Sequence, residues 1–561
     1  MKLLSLHCDY IRFKAKKKAL KSVKEVDKKQ IEVKEPLVLF IAVEKQDENN
    51  EKKALQLLLE NIDDLMNKTN ANKLVLYPYA HLSSNLASPD FSSKLLDKAA
   101  NALSVRTYQA PFGYYKEFEL KCKGHPLAEL SREISVEQGE ETINKNERKN
   151  LLYQVSKSKL DTSKLKENDH RIIGKKMDLF SFNDTAPGMV FWHNNGLIIR
   201  NELIKYWREE HRKAGYEEIL TPQILDKKLW LISGHWEKYK DNIFITEYEN
   251  RDFAVKPMNC PGGMLVYKNK QKSYKDLPLR VGEIGIVHRQ ELSGVLSGLL
   301  RAIQFTQDDA HIFCTEKQLK SEIKAIIQLI QQFYKKFKLE FDHVELSTRP
   351  EKRIGTDKQW DKAEKALEDV LKQEKIDYKI NKGDGAFYGP KIDFHIKDSL
   401  NRTWQLSTIQ LDFATPERFE LAYTDKDNKK KQPVMLHRVI YGAIERFLAV
   451  LLESTNGKLP TWLSPIQARV ISFTDRNKQA CEAFLKQLQE AGIRADIDIE
   501  AGRVNEKVRN AEISRIPYII TIGDKEEQAG TIAVRHAGKN QFDIAPNKFI
   551  QDLKEEIDNR E

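Results

Sequence analysis

The stretch Arg280–Cys314, RVGEIGIVHRQELSGVLSGLLRAIQFTQDDAHIFC, carries more chemistry than any other of its length in this chain. It reads as two short strands joined by a loop. Arg289 and Arg301 can clamp phosphates, because a guanidinium presents a planar fork of donors that matches phosphate oxygens. Phe305 offers an apolar face on which a purine can stack. Gln307, Asp309 and His311 alternate at period two and so share one face of a strand, the floor of a polar pocket. The same pattern also fits an ordinary charged hairpin with solvated arginines, so the rest of the chain must decide.

The chain has 561 residues, enough for about three to five domains. Hydrophobic residues make up 40% and charged residues 31%, which suits real cores beneath a well-solvated surface. The excess of 93 basic over 83 acidic residues, net +10, permits a polyanionic partner such as RNA without requiring one. No apolar run approaches the ~18 residues of a membrane-spanning helix, and the N-terminal MKLLSLHCDYIRF has charges too early and too often for a signal peptide. Cys8, Cys122, Cys260, Cys314 and Cys481 are scattered and odd in number. That fits a reducing, cytoplasmic setting in which a special cysteine is a ligand or nucleophile.

Outward from the opening stretch, residues 1 to about 135 alternate strand-like runs (Leu3–His7, Leu37–Val43, Lys73–Tyr77, Phe118–Lys123) with helical spacing (Lys53–Met66, Ser92–Leu103), a compact α/β module. The chain then turns polar, and 139–172 reads as a helical or loose linker. Residues 173–460 form the largest unit. Helices are expected at Asn195–Ala214, Gln318–Phe337, Trp360–Gln373 and Val439–Glu453, and strands at Ile219–Ile224, Ala254–Lys256, Leu279–His288, Ala302–Asp308, Lys391–Lys397 and Thr403–Phe413. The expected fold is a mostly antiparallel sheet with flanking helices. Residues 461–561 follow a regular βαβα pattern, a doubly wound module, so the whole is multidomain α/β and α+β.

Other candidates emerge from residue chemistry. Arg446 falls in the first turns of an apolar helix, where desolvation demands an anion; a phosphate is one, an internal glutamate the commoner one. Cys260, in the turn KPMNCPGG, with His311 and His437 supplies one sulfur and two imidazoles, which suits tetrahedral zinc with an open fourth position. Their separations (260 to 311, 311 to 437) match no local zinc motif, so taken singly each reads as a core residue. Near the N-terminus, Lys116 flanked by Tyr114, Tyr115 and Phe118 can hold RNA by charge and stacking, or mark a strand edge with an exposed lysine.

Taken together, these motifs resemble the class II aminoacyl-tRNA synthetases, and within them the threonyl-tRNA synthetase family, over nearly the whole chain. FWHNNGLIIRNELIKYWREEHRKAGYEEILTPQI resembles motif 1, the dimer-forming segment; the opening stretch resembles motif 2; GAIERF resembles motif 3. SGHWEKYKDNIF, KPMNCPGG, FTQDDAHIFC, GAFYGPKIDF, WQLSTIQLDF and MLHRVIYGAIERF resemble markers of the threonine enzyme. The resemblance implies roles. Arg289 and Arg446 hold the α- and γ-phosphates as catalytic residues, and Glu291, Arg301, Phe305, Lys391 and Gln405 contact ATP. Asp309 binds threonine, with Gln307, Tyr388 and Gln410 nearby. Cys260, His311 and His437 ligate one zinc, and His235 lies near the terminal ribose of tRNA. Mg²⁺ accompanies ATP, and the partners are ATP, L-threonine, tRNA(Thr) and a second subunit in a homodimer formed through the catalytic domain.

Residues 1–138 resemble the archaeal-type, D-aminoacyl-tRNA-deacylase-like editing domain, whose pattern is met by His81, Tyr115, Lys116 and Glu129; the His-x-x-x-His signature of the bacterial and eukaryotic module is absent. Residues 461–561 resemble a class IIa anticodon-binding domain, with Lys507, Arg509, Arg515, Lys525, Glu526 and Arg535 at matching positions. The implied activity is ATP-dependent formation of threonyl-adenylate and transfer of threonine to tRNA(Thr), with hydrolysis of mischarged Ser-tRNA(Thr). Gly263, Ile303 and EAGR (500–503) depart from the family pattern. A prolyl or seryl enzyme would not need the Cys260, His311, His437 and Asp309 set, and a non-catalytic regulator would not need both motif arginines.

Overall fold

The computed structural model describes residues 1–20, 23, 25–134, 151–152, 165–398 and 401–561, and the chain divides into two compact units, Met1–Asn150 and Leu151–Glu561. Most of the expected linker 139–172 lies outside the described residues. By Asp169 and His170 the chain is already packed: both are buried, and His170 Nδ1 lies 2.7 Å from Glu453 Oε1.

The principal elements are numbered in chain order. The first unit contains β1 (Lys2–Lys18), β2 (Ile31–Lys34), β3 (Leu37–Ala42), α1 (Glu51–Thr69), β4 (Lys73–Pro78), α2 (Pro89–Ala102), β5 (Arg106–Gln109), β6 (Tyr114–Cys122) and β7 (Glu129–Glu133). β3, β4 and β5 are parallel, whereas β1 runs antiparallel to β2, β3, β6 and β7. Every residue of β3 is buried, as a strand covered on both faces requires. One face packs on Leu58, Ile62 and Leu65 of α1 and Leu95, Leu96 and Ala99 of α2. A second core forms around Ile11, Phe13, Phe40 and Tyr77.

The second unit begins with α3 (Asn194–Lys213), β8 (Glu217–Glu218), α4 (Cys260–Lys268), β9 (Leu279–His288), β10 (Gln304–Cys314), α5 (Leu319–Lys336), β11 (His343–Ser347), α6 (Asp357–Gln373), β12 (Lys379–Asn381), β13 (Lys391–Lys397), β14 (Thr403–Asp412), β15 (Val434–Val439) and α7 (Ile444–Thr455). Eight strands form one sheet in the order β8-β9-β10-β15-β14-β13-β11-β12. The interior pairings are antiparallel and the two edge pairings parallel. α5, α6 and α7 contact these strands. With α3 they build the largest core, which includes Leu203, Trp207, Ile330, Phe333, Leu367 and Phe447. The opposite face is left for polar side chains.

Three expectations change. The strand expected at Ala302–Asp308 starts at Gln304 and continues to Cys314, because AHIFC is buried along its whole length. Ile219–Ile224 is not a strand: Thr221 gives its N–H to the Glu283 carboxylate at 3.0 Å and Pro222 has no N–H, so the ladder stops at Glu218 and resumes in Ile224–Asp226. Val439–Glu453 is not one helix. A strand ends at Val439, the chain turns through Gly442 at φ +79°, and the helix starts at Ile444. A Cβ on Gly442 would lie 2.6 Å from the Leu406 carbonyl oxygen.

The chain ends with β16 (Ala468–Ser472), α8 (Lys478–Glu490), β17 (Ala495–Asp498), α9 (Val504–Ile513), β18 (Tyr518–Ile522), β19 (Ile532–His536), β20 (Lys539–Ile544) and α10 (Pro546–Asn559). The sheet order is β17-β16-β18-β19-β20. The first three strands are parallel, as the βαβα pattern implies, and a terminal antiparallel hairpin extends them.

Candidate active site

Alternation along β10 puts Phe305, Gln307, Asp309 and His311 on the face opposite the helices. Antiparallel pairing sets His437 of β15 opposite His311, and Gln410 of β14 opposite His437. Cys260, His311 and His437, remote in sequence, are thereby assembled: one ligand atom from each lies within 4.8 Å of the others. Burial pushes the His311 imidazole down to about 4, so the ring is neutral near pH 7, as a metal ligand must be. Burial, and then the Asp309 and Asp412 carboxylates, push the Cys260 thiol up; a bound cation reverses that by taking the thiolate. His437 Nε2 lies 2.9 Å from the buried Asp412 Oδ2, leaving its Nδ1 for a metal.

Around this trio sit polar atoms that are buried and have no partner: His311 Nε2, Gln410 Nε2, Asn259 Oδ1 and His235 Nε2. Such groups are costly unless a ligand completes them. Asn259 Nδ2 donates to Asp309 Oδ2 at 3.2 Å and the Tyr388 hydroxyl to Gln410 Oε1 at 3.1 Å. His235 packs edge-on against Phe387, and burial pushes it down to about 4. A soft-to-borderline cation with an open position fits this donor set, as does a small ligand with adjacent polar groups.

Farther along the same face, Arg289, Glu291, Arg301, Phe305, Gln307, Gln405 and Arg446 line one cavity of about 210 Å³. The Arg289 guanidinium lies 5.2 Å from the Phe305 ring centre, and its Nε donates to the Pro257 carbonyl at 3.2 Å, which ties Arg289 to the Cys260 loop. Arg301 pairs with Glu291 at 2.9 Å. Arg446 donates to the Leu300 and Gln405 carbonyls. Burial first, then Arg289 and Arg301, lower Arg446 to about 10. Three guanidiniums meeting in one void call for a polyanion. Lys391 is outside this lining; Asp384 and Asp393 hold it at 3.0 and 2.9 Å.

In the first unit, His81, Tyr115 and Lys116 line a cavity of about 510 Å³ floored by Tyr77 and Tyr79. Lys116 Nζ donates to the Pro111 carbonyl at 3.1 Å and lies 4.9 Å from the Tyr77 ring centre; burial pushes it down to about 8. Glu129 does not join them. It is exposed on β7 opposite Leu6, with its carboxylate beside the Cys122 thiol, about 20 Å of strand from Lys116 along β6.

In the C-terminal module, Arg509, Lys525, Glu526 and Arg535 line a cavity of about 790 Å³. Lys507 and Arg515 do not. Lys507 is buried, with Nζ donating to the Ser472 carbonyl at 3.2 Å and the Ser472 hydroxyl at 3.1 Å. Arg515, at the end of α9, reaches Asn456 instead.

Comparison with known proteins finds three matching family models. Residues 1–134 match the archaea-specific editing domain of threonyl-tRNA synthetase, residues 244–455 the class II tRNA synthetase core domain (G, H, P, S and T), and residues 467–556 the anticodon-binding domain. The threonine–tRNA ligase of Acetivibrio thermocellus is 49% identical over 430 residues, 74% of this chain and 67% of that one. The chain belongs to the threonyl-tRNA synthetase family. The ligase of Desulfatibacillum aliphaticivorans is 54% identical over 396 residues, 70% of this chain. This chain spans 62% of that relative's length. Among solved structures, the RNA-binding domain of threonyl-tRNA synthetase from Cryptosporidium parvum superposes with TM-score 0.67 at 38% identity, covering 69% of this chain and 98% of that one. A threonyl-tRNA synthetase from Aeropyrum pernix superposes with TM-score 0.62 at 29% identity, covering 70% and 96%.

Against this family background, several site residues have no signal in the sequence. Lys256 and Glu283 form a buried ion pair at 2.7 Å, completed by the Thr221 hydroxyl 2.9 Å from Lys256, beneath the Cys260 loop. Asp412 was equally hidden, since its partner His437 is 25 residues away. Asn259 had one available signal, its place in the turn before Cys260. At Gly263 a Cβ would sit 3.4 Å from His311 Nδ1, so the departure from the family leaves room beside the ligand.

Proposed function

We propose that this chain is a threonine–tRNA ligase: it activates L-threonine with ATP, releases pyrophosphate, and passes threonine to the 3′ end of tRNA(Thr). The observation that carries the reading is that the three-arginine cavity and the Cys260–His311–His437 cluster lie on one face of one sheet, linked through Phe305, Gln307 and Asp309 along β10. Activation joins the threonine carboxylate to the α-phosphate, and negative charge spreads over the phosphoryl oxygens in the transition state. Arg289, Arg301 and Arg446 stand around the void that this charge would fill, preorganised by backbone carbonyls and Glu291, so they stabilise it without reorganising. Phe305 holds the adenine, Mg²⁺ arrives with ATP, and Gln405 is a further nucleotide contact; Lys391 reaches the nucleotide only on leaving Asp384 and Asp393. Asp309, Tyr388 and Gln410 orient threonine, and His235 faces the terminal ribose.

Cys260, His311 and His437 would hold Zn²⁺, which supplies a Lewis-acidic point for an adjacent amine and hydroxyl. A site built for that hydroxyl rejects valine by ~10⁴ or more, because its buried polar atoms would stay unpaired. Serine keeps the hydroxyl and loses one methyl, worth only ~1–3 kcal/mol. A hydrolytic second site is therefore required. The cavity with His81, Tyr115 and Lys116 in residues 1–138 is its candidate, and Arg509, Lys525, Glu526 and Arg535 are the candidates for anticodon contact. Leu197, Leu220 and Ile224, exposed on the segment resembling motif 1, support a homodimer through residues 173–460.

The test is amino-acid-dependent ATP–pyrophosphate exchange with threonine, serine, valine and proline, alongside metal analysis. Threonine supports exchange most strongly and valine not at all. Cys260→Ser loses zinc and threonine-dependent exchange together; undiminished exchange in a metal-free variant would refute the zinc assignment.

A further inference from the structure

A second cluster of metal-ligand type lies on the sheet and plays no part in the reading above. His343 of β11 is directly opposite His395 of β13, and Glu345 is two residues along β11, on the same face. The imidazoles stack with ring centres 4.4 Å apart and planes 6° from parallel. One ligand atom from each of His343, Glu345 and His395 lies within 4.8 Å of the others.

The surroundings hold these groups side by side and leave one nitrogen of each ring toward the Glu345 carboxylate. Asp342 Oδ2 holds His343 Nδ1 at 2.7 Å while its Oδ1 pairs with Lys397 at 3.0 Å, leaving His343 Nε2 to face Glu345 Oε1 at 3.3 Å. His395 Nε2 is buried without a hydrogen bond, 3.5 Å from Glu345 Oε2. Asn381 donates to Glu345 Oε2 at 2.9 Å and fixes that carboxylate. The carboxylate thus spans the two rings, Oε1 3.3 Å from His343 Nε2 and Oε2 3.5 Å from His395 Nε2, and a shared ion requires the stacked rings to turn so that both in-plane lone pairs meet it. The side chains are 15–22% exposed, so an ion can enter from solvent. A third cluster, Asp169, His170 and Glu453, lacks this readiness: His170 spends Nδ1 on Glu453, and Nε2 accepts the Leu299 N–H.

We propose that His343, Glu345 and His395 form a divalent transition-metal site separate from the Cys260 cluster. Two imidazole nitrogens and one carboxylate oxygen favour Zn²⁺, Co²⁺ or Ni²⁺ over the oxygen-seeking Mg²⁺ and Ca²⁺. The carboxylate–histidine pairing of Asp342 with His343 orients a ligand imidazole, as such pairs do at metal sites. His395 is four residues along β13 from Lys391, which pairs with Gln410, itself opposite His437, so the two clusters are on the order of 15 Å apart.

The test uses the full-length chain, stripped by a chelator and reloaded with Co²⁺. Wild type should retain two equivalents, only one showing a thiolate-to-cobalt charge-transfer band. His343→Gln with His395→Gln should lose the band-free equivalent and keep the band, which also reports an intact sheet. Cys260→Ser should lose the band, which reports on the Cys260 site, and keep one equivalent, which reports on His343, Glu345 and His395. The inference is overturned if wild type holds a single, thiolate-bearing equivalent, if the double variant still holds two, or if Cys260→Ser holds none.

Discussion

Lys116 shows how one side chain can carry a measurable signature. Its amine lies over the Tyr77 ring and is enclosed by the Pro78, Pro111 and Tyr114 carbonyls, and burial lowers it to about 8 from the ordinary ~10.4. Below about pH 8 the ammonium is present in folded and unfolded chain alike. From there up to ~10.4 only the unfolded chain binds the proton, so this group makes stability rise with pH through that window while the folded pocket loses its cation. If that cation orients the aminoacyl ester, hydrolysis of Ser-tRNA(Thr), corrected for spontaneous hydrolysis, should fall as pH rises through about 8. Lys116→Arg should abolish the inflection, and its persistence in that variant would assign the titration elsewhere. Residue-scale legibility was uneven for a physical reason. Period-two alternation is local, so Gln307, Asp309 and His311 were readable as one face. Lys256 and Lys507 look like any surface lysine until tertiary packing buries them, and Glu129 matches a motif yet turns its carboxylate to Cys122.

Elements deliver these side chains through close backbone approaches that a sequence reading sees only as glycines. The segment GAFYGPKIDF runs into β13, and Gly389 passes so near β14 that a Cβ there would stand 1.6 Å from the Leu411 carbonyl oxygen. Leu411 N in turn donates to the Pro390 carbonyl at 3.0 Å. Gly389→Ala must therefore push the segment off β14, at a cost on the order of 1–3 kcal/mol, and displace Tyr388 from Gln410. The expected outcome is a higher KM for threonine in pyrophosphate exchange with zinc content unchanged; an unaltered KM would show that Tyr388 does not depend on this approach. Apolar runs explain the element-level misreadings. Val439–Glu453 is buried or half-buried throughout on either side of the bend, so hydrophobicity cannot mark where β15 ends and α7 begins. β9 and β14 lie where the apolar and polar runs place them, to within a residue.

At the scale of the whole chain, the question is whether accuracy and synthesis are separable. Residues Met1–Asn150 form their own compact unit with their own two apolar cores, and the three-arginine cavity and both histidine clusters draw every residue from Leu151–Glu561. Under the proposed function, nothing in the activation chemistry requires the first unit, whereas the arithmetic of discrimination does: one methyl cannot exclude serine at the synthetic site, since ~1–3 kcal/mol corresponds to roughly 10–200-fold. A chain lacking residues 1–138 should therefore keep threonine-dependent pyrophosphate exchange and aminoacylation within a few-fold, while Ser-tRNA(Thr) accumulates with serine as the only amino acid. Adding residues 1–138 back in trans should clear that product if the unit acts as a free-standing hydrolase, and Lys116→Arg should alter the pH dependence of that clearance. Loss of exchange on truncation would make the first unit a structural support for the catalytic sheet, and unchanged serine mischarging would remove its editing role in this chain.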